Sequence, residues 1–546
     1  MMIKRTMRGA RNGMALCTAV FFAAAASFCL VRIPLYSLLG PEGTAYIIPG
    51  MELFALFYAA FVSTGALTAR RMVRTRRLRG RFSSIPRVLK TVRFPTLIAG
   101  LVLTLLCLAG CRVLAAAAGA NFDLYLLFVA LSPAFLFLSL TGILRGYEEA
   151  MLSFRVSVIC TIAEAALRIA LMLLFGKLCF DYGTKAAALL RNPSVAPLYG
   201  AAGAAAGLSA ASLLTLLLWL FCHRITGQLI RGYLAEHEDT RTEQESDRSI
   251  RRAYWSSFLL TSAALLFLAA PVLADYRLSF YFAQISDPET GALWASYYSK
   301  TLSIVFAAVF ILLIPFVTYP AKLGGQMTDQ NLREFRRGFG MVMRLLSYVL
   351  MPVSFFFIAA ARILTAVGYG IDDSAAEVTL EWSGPAVLFF GTALFLVMLC
   401  LSTHDIRCIL IAVIPSFVLQ TGLFILLARA GISPELAGAV SFLVFSVLLC
   451  LLLMVQLRSG TLRRNRWARE AVLAAICAVL AAIPVFLAGD YLYEHIGAAP
   501  ALLVLAAVYL AAYVLLTIFL RVCDLRELHR IPGGDIIVML FYLFGR

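Results

Sequence analysis

The sequence predicts an all-α polytopic membrane protein, and three observations carry that reading. Of its 546 residues 62% are hydrophobic and 14% charged, where a water-soluble domain carries about 25% charged residues. The apolar residues gather into about fourteen runs, each near the roughly 20 residues that a helix needs to cross a bilayer. Lys and Arg are also unevenly spread along that map. With the N-terminus placed inside, 37 of the 47 fall in inner loops or at inner helix ends, the bias that sets orientation in membranes. The net charge of +17 therefore reads as loops lying against anionic lipid and gives no reason to invoke nucleic acid.

The expected crossings follow in order. Gly13–Leu39 is the first: its basic start and apolar middle look like a secretory signal, but the apolar run continues, so it reads as a retained helix. Ala45–Ala69, Phe94–Ala118, Leu124–Leu144, Leu152–Gly176 and Tyr199–Phe221 complete a first set of six (1–222). A polar stretch rich in Glu, Asp, Arg and Thr then forms a cytoplasmic linker (223–252). A second set of six (253–457) comprises Tyr254–Phe282, Leu302–Leu323, Gly340–Ala366, Pro385–Leu401, Cys408–Ala428 and Leu436–Val455. Two further crossings, Ala471–Gly489 and Ala499–Leu520, occupy 458–521, and a cytoplasmic tail, 522–546, follows. This map puts both termini in the cytoplasm, and the acidic stretch around Asp372, Asp373, Glu377 and Glu381 outside.

A weak internal repeat supports the division. Arg145–Phe221 and His404–Val455 share an order of basic turn, long helix, Gly-containing exit and small-residue helix. An even number of helices per half gives both halves one orientation, the arrangement in which a substrate path lies between repeats. Gly203, Gly207 and Gly438, with Ala and Ser neighbours, suit close helix contact.

Charges inside the apolar runs mark the candidate site, because each costs roughly 2.5–3.5 kcal/mol at mid-bilayer unless paired, wet or used. Glu164 and Arg168 lie four apart on one helix face, acid first, the favourable order. They fit either a self-contained ion pair or part of a polar pathway. Arg32 stands in the first run with no acid on its own helix. Asp275, Arg277, Lys300 and Arg362 lie near the outer ends, where snorkelling to the interface is the plain alternative. Basic groups predominate, and an arginine-lined cavity suits a phosphate-bearing headgroup.

Catalytic signals are missing from the sequence: there is no nucleophile elbow, P-loop, HExxH or DxD in an aqueous loop. The five histidines form no ligand cluster, and the twelve cysteines include no CxxC. No metal site, enzyme activity or cofactor is expected, and the coupling ion of any transport is unassigned.

Several stretches together resemble the stage V sporulation protein B family. These are Arg32 followed by IPLYSLLGPEGTAY, with Gly40, Pro41, Glu42 and Gly43 as its loop; LRGYEEAM, with Arg145 and Gly146; IAEAALRI; and IPFVTYPAKLGGQMTDQNLREFRRG. That family belongs to the multidrug/oligosaccharidyl-lipid/polysaccharide (MOP) exporter superfamily, close to MurJ-type lipid II flippases. The resemblance implies a V-shaped, MATE-like pair of six-helix lobes plus two extra helices in a bacterial plasma membrane. It implies an alternating-access flippase that moves an undecaprenyl-pyrophosphate-linked saccharide to the outer leaflet. By position Arg32, Glu164 and Arg168 match cavity residues, and Arg277 and Lys300 are added here as basic candidates. The implied partners are the lipid-linked saccharide, membrane lipids and envelope-synthesis enzymes. The alternatives are a cation-coupled multidrug exporter, a non-transporting scaffold, and a membrane ligase of envelope synthesis.

Overall fold

A computed structural model describes residues 2–118, 124–151, 153–236, 245–286, 291–328, 331–370, 374–461, 467–520 and 522. All regular structure among them is helical. Asp372, Asp373, most of the expected tail and part of the linker lie outside the described residues. The chain divides into two compact units, 1–296 and 297–546.

In the first unit, α1 (Met2–Leu30) leads almost directly into α2 (Arg32–Phe57). The chain then turns back at Gly40 (φ 72°, ψ −178°), a backbone conformation that a Cβ would disfavour. Pro41, whose φ is already helical and whose missing N–H needs no partner there, starts the returning rod. Phe28 consequently meets Phe54 (ring centroids 5.6 Å apart) and Phe21 meets Tyr58 (6.3 Å). The Gly40–Gly43 motif is thus the hairpin between the first two crossings. The returning rod runs on through a π-helical segment, Tyr58–Ser63, into α3 (Thr64–Leu78).

Next come α4 (Ser84–Ala109), α5 (Cys111–Ala117), α6 (Tyr125–Ala150), α7 (Phe154–Leu190), α8 (Val195–Ala235) and α9 (Asp247–Ser286). α6 sits in the middle, against α3, α4 and α8, and Leu127, Leu131 and Phe135 are buried there with Phe54 and Leu208. α7 and α8 pack along each other, as the small residues anticipate: a Cβ on Gly207 would lie 2.3 Å from the Leu171 carbonyl oxygen. These two helices hold 37 and 41 residues, about 55 and 60 Å at 1.5 Å per residue, well beyond a bilayer core of about 30 Å. Hydropathy locates their crossings but not their ends. α9 packs on α2, α3 and α4 within this first unit.

α10 (Gly291–Leu313) leads into the second unit. Residues Lys300–Phe316 and Tyr319–Met327 meet at a 58° bend, where Pro315 and Pro320 interrupt the backbone ladder. α11 (Tyr319–Thr328), α12 (Leu332–Ala359), α13 (Ala361–Tyr369), α14 (Ser374–Ser383), α15 (Ala386–Thr403), α16 (Ile406–Arg429) and α17 (Pro434–Thr461) follow. Phe306 of α10, Phe390 of α15 and Phe442 of α17 form an aromatic cluster with centroids 5.3–5.5 Å apart. His404 ends α15 with φ 64°, a region that His tolerates better than most residues.

α18 (Trp467–Ile496) and α19 (Ala498–Phe519), the two additional helices, are fastened to α12 and α13. The Tyr513 hydroxyl donates to the Tyr348 carbonyl (2.9 Å), Arg344 pairs with Glu470 (3.1 Å) and Arg362 with Asp490 (2.9 Å). Arg362 is therefore an ion-pair partner of α18.

Among the described residues, twelve helices are long and apolar enough to cross a membrane, or thirteen with the bent pair. One of the twelve, Asn12–Leu78, spans 67 residues, about 100 Å, and the Gly40 hairpin divides it into two passes. The chain is an all-helical, multi-pass membrane protein.

Candidate functional site

The polar interior of the first unit forms a column along α1, α2, α6 and α7. At the hairpin end, Arg32 and Glu52 make a buried ion pair, each under a tenth exposed. Reading the first helix alone leaves Arg32 without an acid, because its partner stands on the returning rod. Glu52 is the principal residue that the sequence reading passes over. A carboxylate inside IPGMELFALF is the same signal that singles out Glu164.

Further along, Glu164 and Arg168 are both buried and paired. The Arg168 guanidinium lies over Phe28 and Phe54 (each 5.4 Å) and Tyr58 (4.9 Å). Three rings from α1 and the returning rod thus hold a cation supplied by α7, with cation–π attraction adding to the ion pair. Tyr58 opens the π-helical segment, the kind of local widening that often accompanies functional sites. Phe54 and Glu52 stand on the same returning rod.

The third group sits where α6 ends. Glu149 accepts from Arg145 Nε (3.0 Å), Arg70 Nη1 (3.0 Å) and the Ser157 hydroxyl (2.9 Å). Arg145 also lies over Phe21 (4.9 Å). Gly146 lets α6 approach α3 here, since a Cβ would come within 2.2 Å of the Ala66 carbonyl oxygen. Beside it Glu148, fully buried, bonds His223 Nδ1 (2.6 Å) and the Thr226 hydroxyl (3.0 Å).

The structure thus brings Arg32, Glu164, Arg168, Arg145 and Gly146 into one unit and adds Glu52, Tyr58, Glu148, Glu149 and His223. Arg277 also belongs to this unit. Its guanidinium lies 5.8 Å from the Phe280 ring, and its buried Nη1 has no hydrogen-bond partner among the described residues. The adjacent Tyr276 packs with Ile48 of α2 and donates to the Ala45 carbonyl (3.4 Å), which places Arg277 near the hairpin end. Lys300 is in the second unit, where its ammonium lies 5.7 Å from the Tyr369 ring and its carbonyl accepts from the Tyr369 hydroxyl (3.1 Å). Lys300 and Asp275 are almost completely buried. Among the described residues no group of three His, Cys, Asp or Glu could hold a metal ion.

Solved structures with the same architecture are transporters. An inward-facing multidrug resistance MATE family transporter of the MOP superfamily aligns over 83% of this chain and 97% of its own, with a TM-score of 0.60 and 12% identity. An outward-facing MATE transporter of the same superfamily gives 0.60 and 14%, over 83% and 95%. The fold is that of the MATE transporters. A MOP superfamily transporter from Pyrococcus furiosus, described as having a binding pocket of reverse polarity that suggests a different function, gives 0.55 and 13% over 83% and 95%. No protein-family model and no curated protein matches the sequence. At these identities the likeness is one of fold.

Proposed function

We propose that the chain is an alternating-access transporter, not an enzyme, that flips an undecaprenyl-pyrophosphate-linked saccharide from the cytoplasmic to the outer leaflet of a bacterial plasma membrane. The observation that carries this reading is the guanidinium content of the first unit. Arg32, Arg145 and Arg168 are buried there, and Arg277 keeps a buried N–H without a partner among the described residues. A pyrophosphate offers the same paired oxygens as a carboxylate, with more charge, so it can replace Glu52 or Glu164 at a guanidinium. In the empty state the glutamates neutralise the arginines, and in the loaded state the headgroup does. Both termini are assigned to the cytoplasm. Lys300 is kept as a separate basic candidate of the second unit. No cofactor is invoked, and the coupling ion is left open.

A second reading, a cation-coupled multidrug exporter, has its own support. Glu148 Oε2 and Glu164 Oε2 are buried without hydrogen-bond partners among the described residues, and unmatched carboxylate oxygens favour a cation. The fold by itself does not favour one substrate over the other. Purified protein in liposomes, offered a labelled undecaprenyl-pyrophosphate sugar or an organic cation, separates the two: movement of the lipid supports the first reading, movement of the cation alone the second.

A further inference from the structure

On the outer face of the packed α7–α8 pair, Ala163, Ala166 and Ala170 of α7 and Leu214, Leu217 and Phe221 of α8 line a shallow, apolar hollow of about 740 Å³. Just beyond it the sulfurs of Cys160 and Cys222 are 3.6 Å apart. That contact fixes the register of the two helices. Arg155 lies eleven residues before Ala166, and at 100° per residue it falls within about 20° of the same face. Arg224 lies seven residues after Leu217, also within about 20°. Measured from the sulfur contact, the two Cα atoms sit roughly 7 and 3 Å further along the helices, at the same end of the hollow. Both arginines are exposed, and neither has an acidic partner among the described residues. By the charge bias of the loops, this is the cytoplasmic end.

We propose that this groove is a binding site for a single phospholipid with an anionic headgroup from the inner leaflet. One acyl chain fills the hollow, and Arg155 and Arg224 hold the phosphate. Small alanines of α7 beside larger residues of α8 leave apolar space that an acyl chain can occupy. Two guanidiniums at its mouth supply the paired donors that a phosphate accepts and attract negative headgroup charge. The lipid lies on the outer face of α7 and α8, away from the buried arginine–glutamate column, so the site holds whatever substrate the transporter carries.

The test is native mass spectrometry of the detergent-purified full chain titrated with dioleoylphosphatidylglycerol or dioleoylphosphatidylcholine. The parent is expected to retain one phosphatidylglycerol with a preference of roughly fivefold per arginine, about thirtyfold in all. R155Q/R224Q should bring the two lipids to parity, whereas R155K/R224K should keep most of the preference. Ala166→Phe, which fills the hollow and leaves both arginines in place, should lose the retained lipid. Equal retention of both lipids by the parent would overturn the proposal, as would an undiminished preference in R155Q/R224Q or an undiminished adduct in Ala166→Phe. Since both arginines are exposed and unpaired among the described residues, the paired variants should elute and melt as the parent does.

Discussion

Arg32 and Glu52 form a buried ion pair across the hairpin that Gly40 turns. Breaking one side of such a pair leaves a charge in a dry interior, at a cost of roughly 3–5 kcal/mol. Glu52→Gln is therefore expected to lower the melting temperature of the purified protein and its yield in membranes. R32Q/E52Q removes both charges and should recover most of the loss. Thermal melts in detergent compare the three forms, and an E52Q protein as stable as the parent would show that the pair does not matter to the fold.

Arg168 should behave differently, because aromatic rings hold it as well as an acid. Lysine keeps the charge but not the planar face that lies over Phe28, Phe54 and Tyr58. R168K is expected to fold with a modest loss, about 0.5–2 kcal/mol of cation–π attraction. Glu164→Gln alone should be more damaging, and E164Q/R168Q should restore expression while abolishing transport. A double variant that still transports at the parent rate would make the pair structural only.

The helices were legible in the sequence because the bilayer imposes one length and one polarity on each crossing. Their extensions were not: Lys177–Leu190 and Arg224–Ala235 continue α7 and α8 beyond the expected crossings. Hydropathy has no signal for that. Glu164 and Arg168 were legible as a pair because one helix carries both. The pairing of Arg32 with Glu52, and the convergence of Phe28, Phe54 and Tyr58 on Arg168, depend on how the first hairpin docks against α7. Sequence spacing does not contain that information. The same holds for Glu149, which gathers Arg70, Arg145 and Ser157 from three helices.

The linker supplies a pH-dependent contact. Glu245 accepts from Arg76 Nε (3.0 Å) and Arg81 Nη1 (2.6 Å), tying the start of α9 to the α3–α4 turn. Burial pushes the Glu245 carboxyl up, but the hydrogen bonds and charges of Arg76 and Arg81 outweigh it and hold the group below the usual carboxylate range. With the folded value depressed, the stabilisation is present above the unfolded value of about 4.3 and is lost as pH falls through the folded one. E245Q should therefore melt below the parent at pH 7, and the gap should close under strong acid. A gap that stays constant from pH 7 to pH 3 would contradict this.

Orientation follows from the charge bias. A cysteine introduced at Ser249, at the head of α9, should add labelling by an impermeant maleimide only from the cytoplasmic side. One introduced at Ser374 should add it only from outside. Both positions are exposed, so accessibility does not confound the comparison. Labelling of both from the same side would refute the even-numbered map.

The most direct measurement is translocation of a labelled undecaprenyl-pyrophosphate saccharide by the purified chain in liposomes, comparing the parent with R32Q/E52Q. That variant keeps the interior free of unpaired charge but lacks the guanidinium. One charge-assisted contact contributes roughly 1.5–3 kcal/mol, so headgroup binding should weaken about ten- to a hundredfold. The parent is expected to flip the lipid, R32K to retain part of that activity, and R32Q/E52Q to lose most of it at equal incorporation. Lipid flipping by R32Q/E52Q at the parent rate, or a parent that moves an organic cation and leaves the lipid in place, would contradict it.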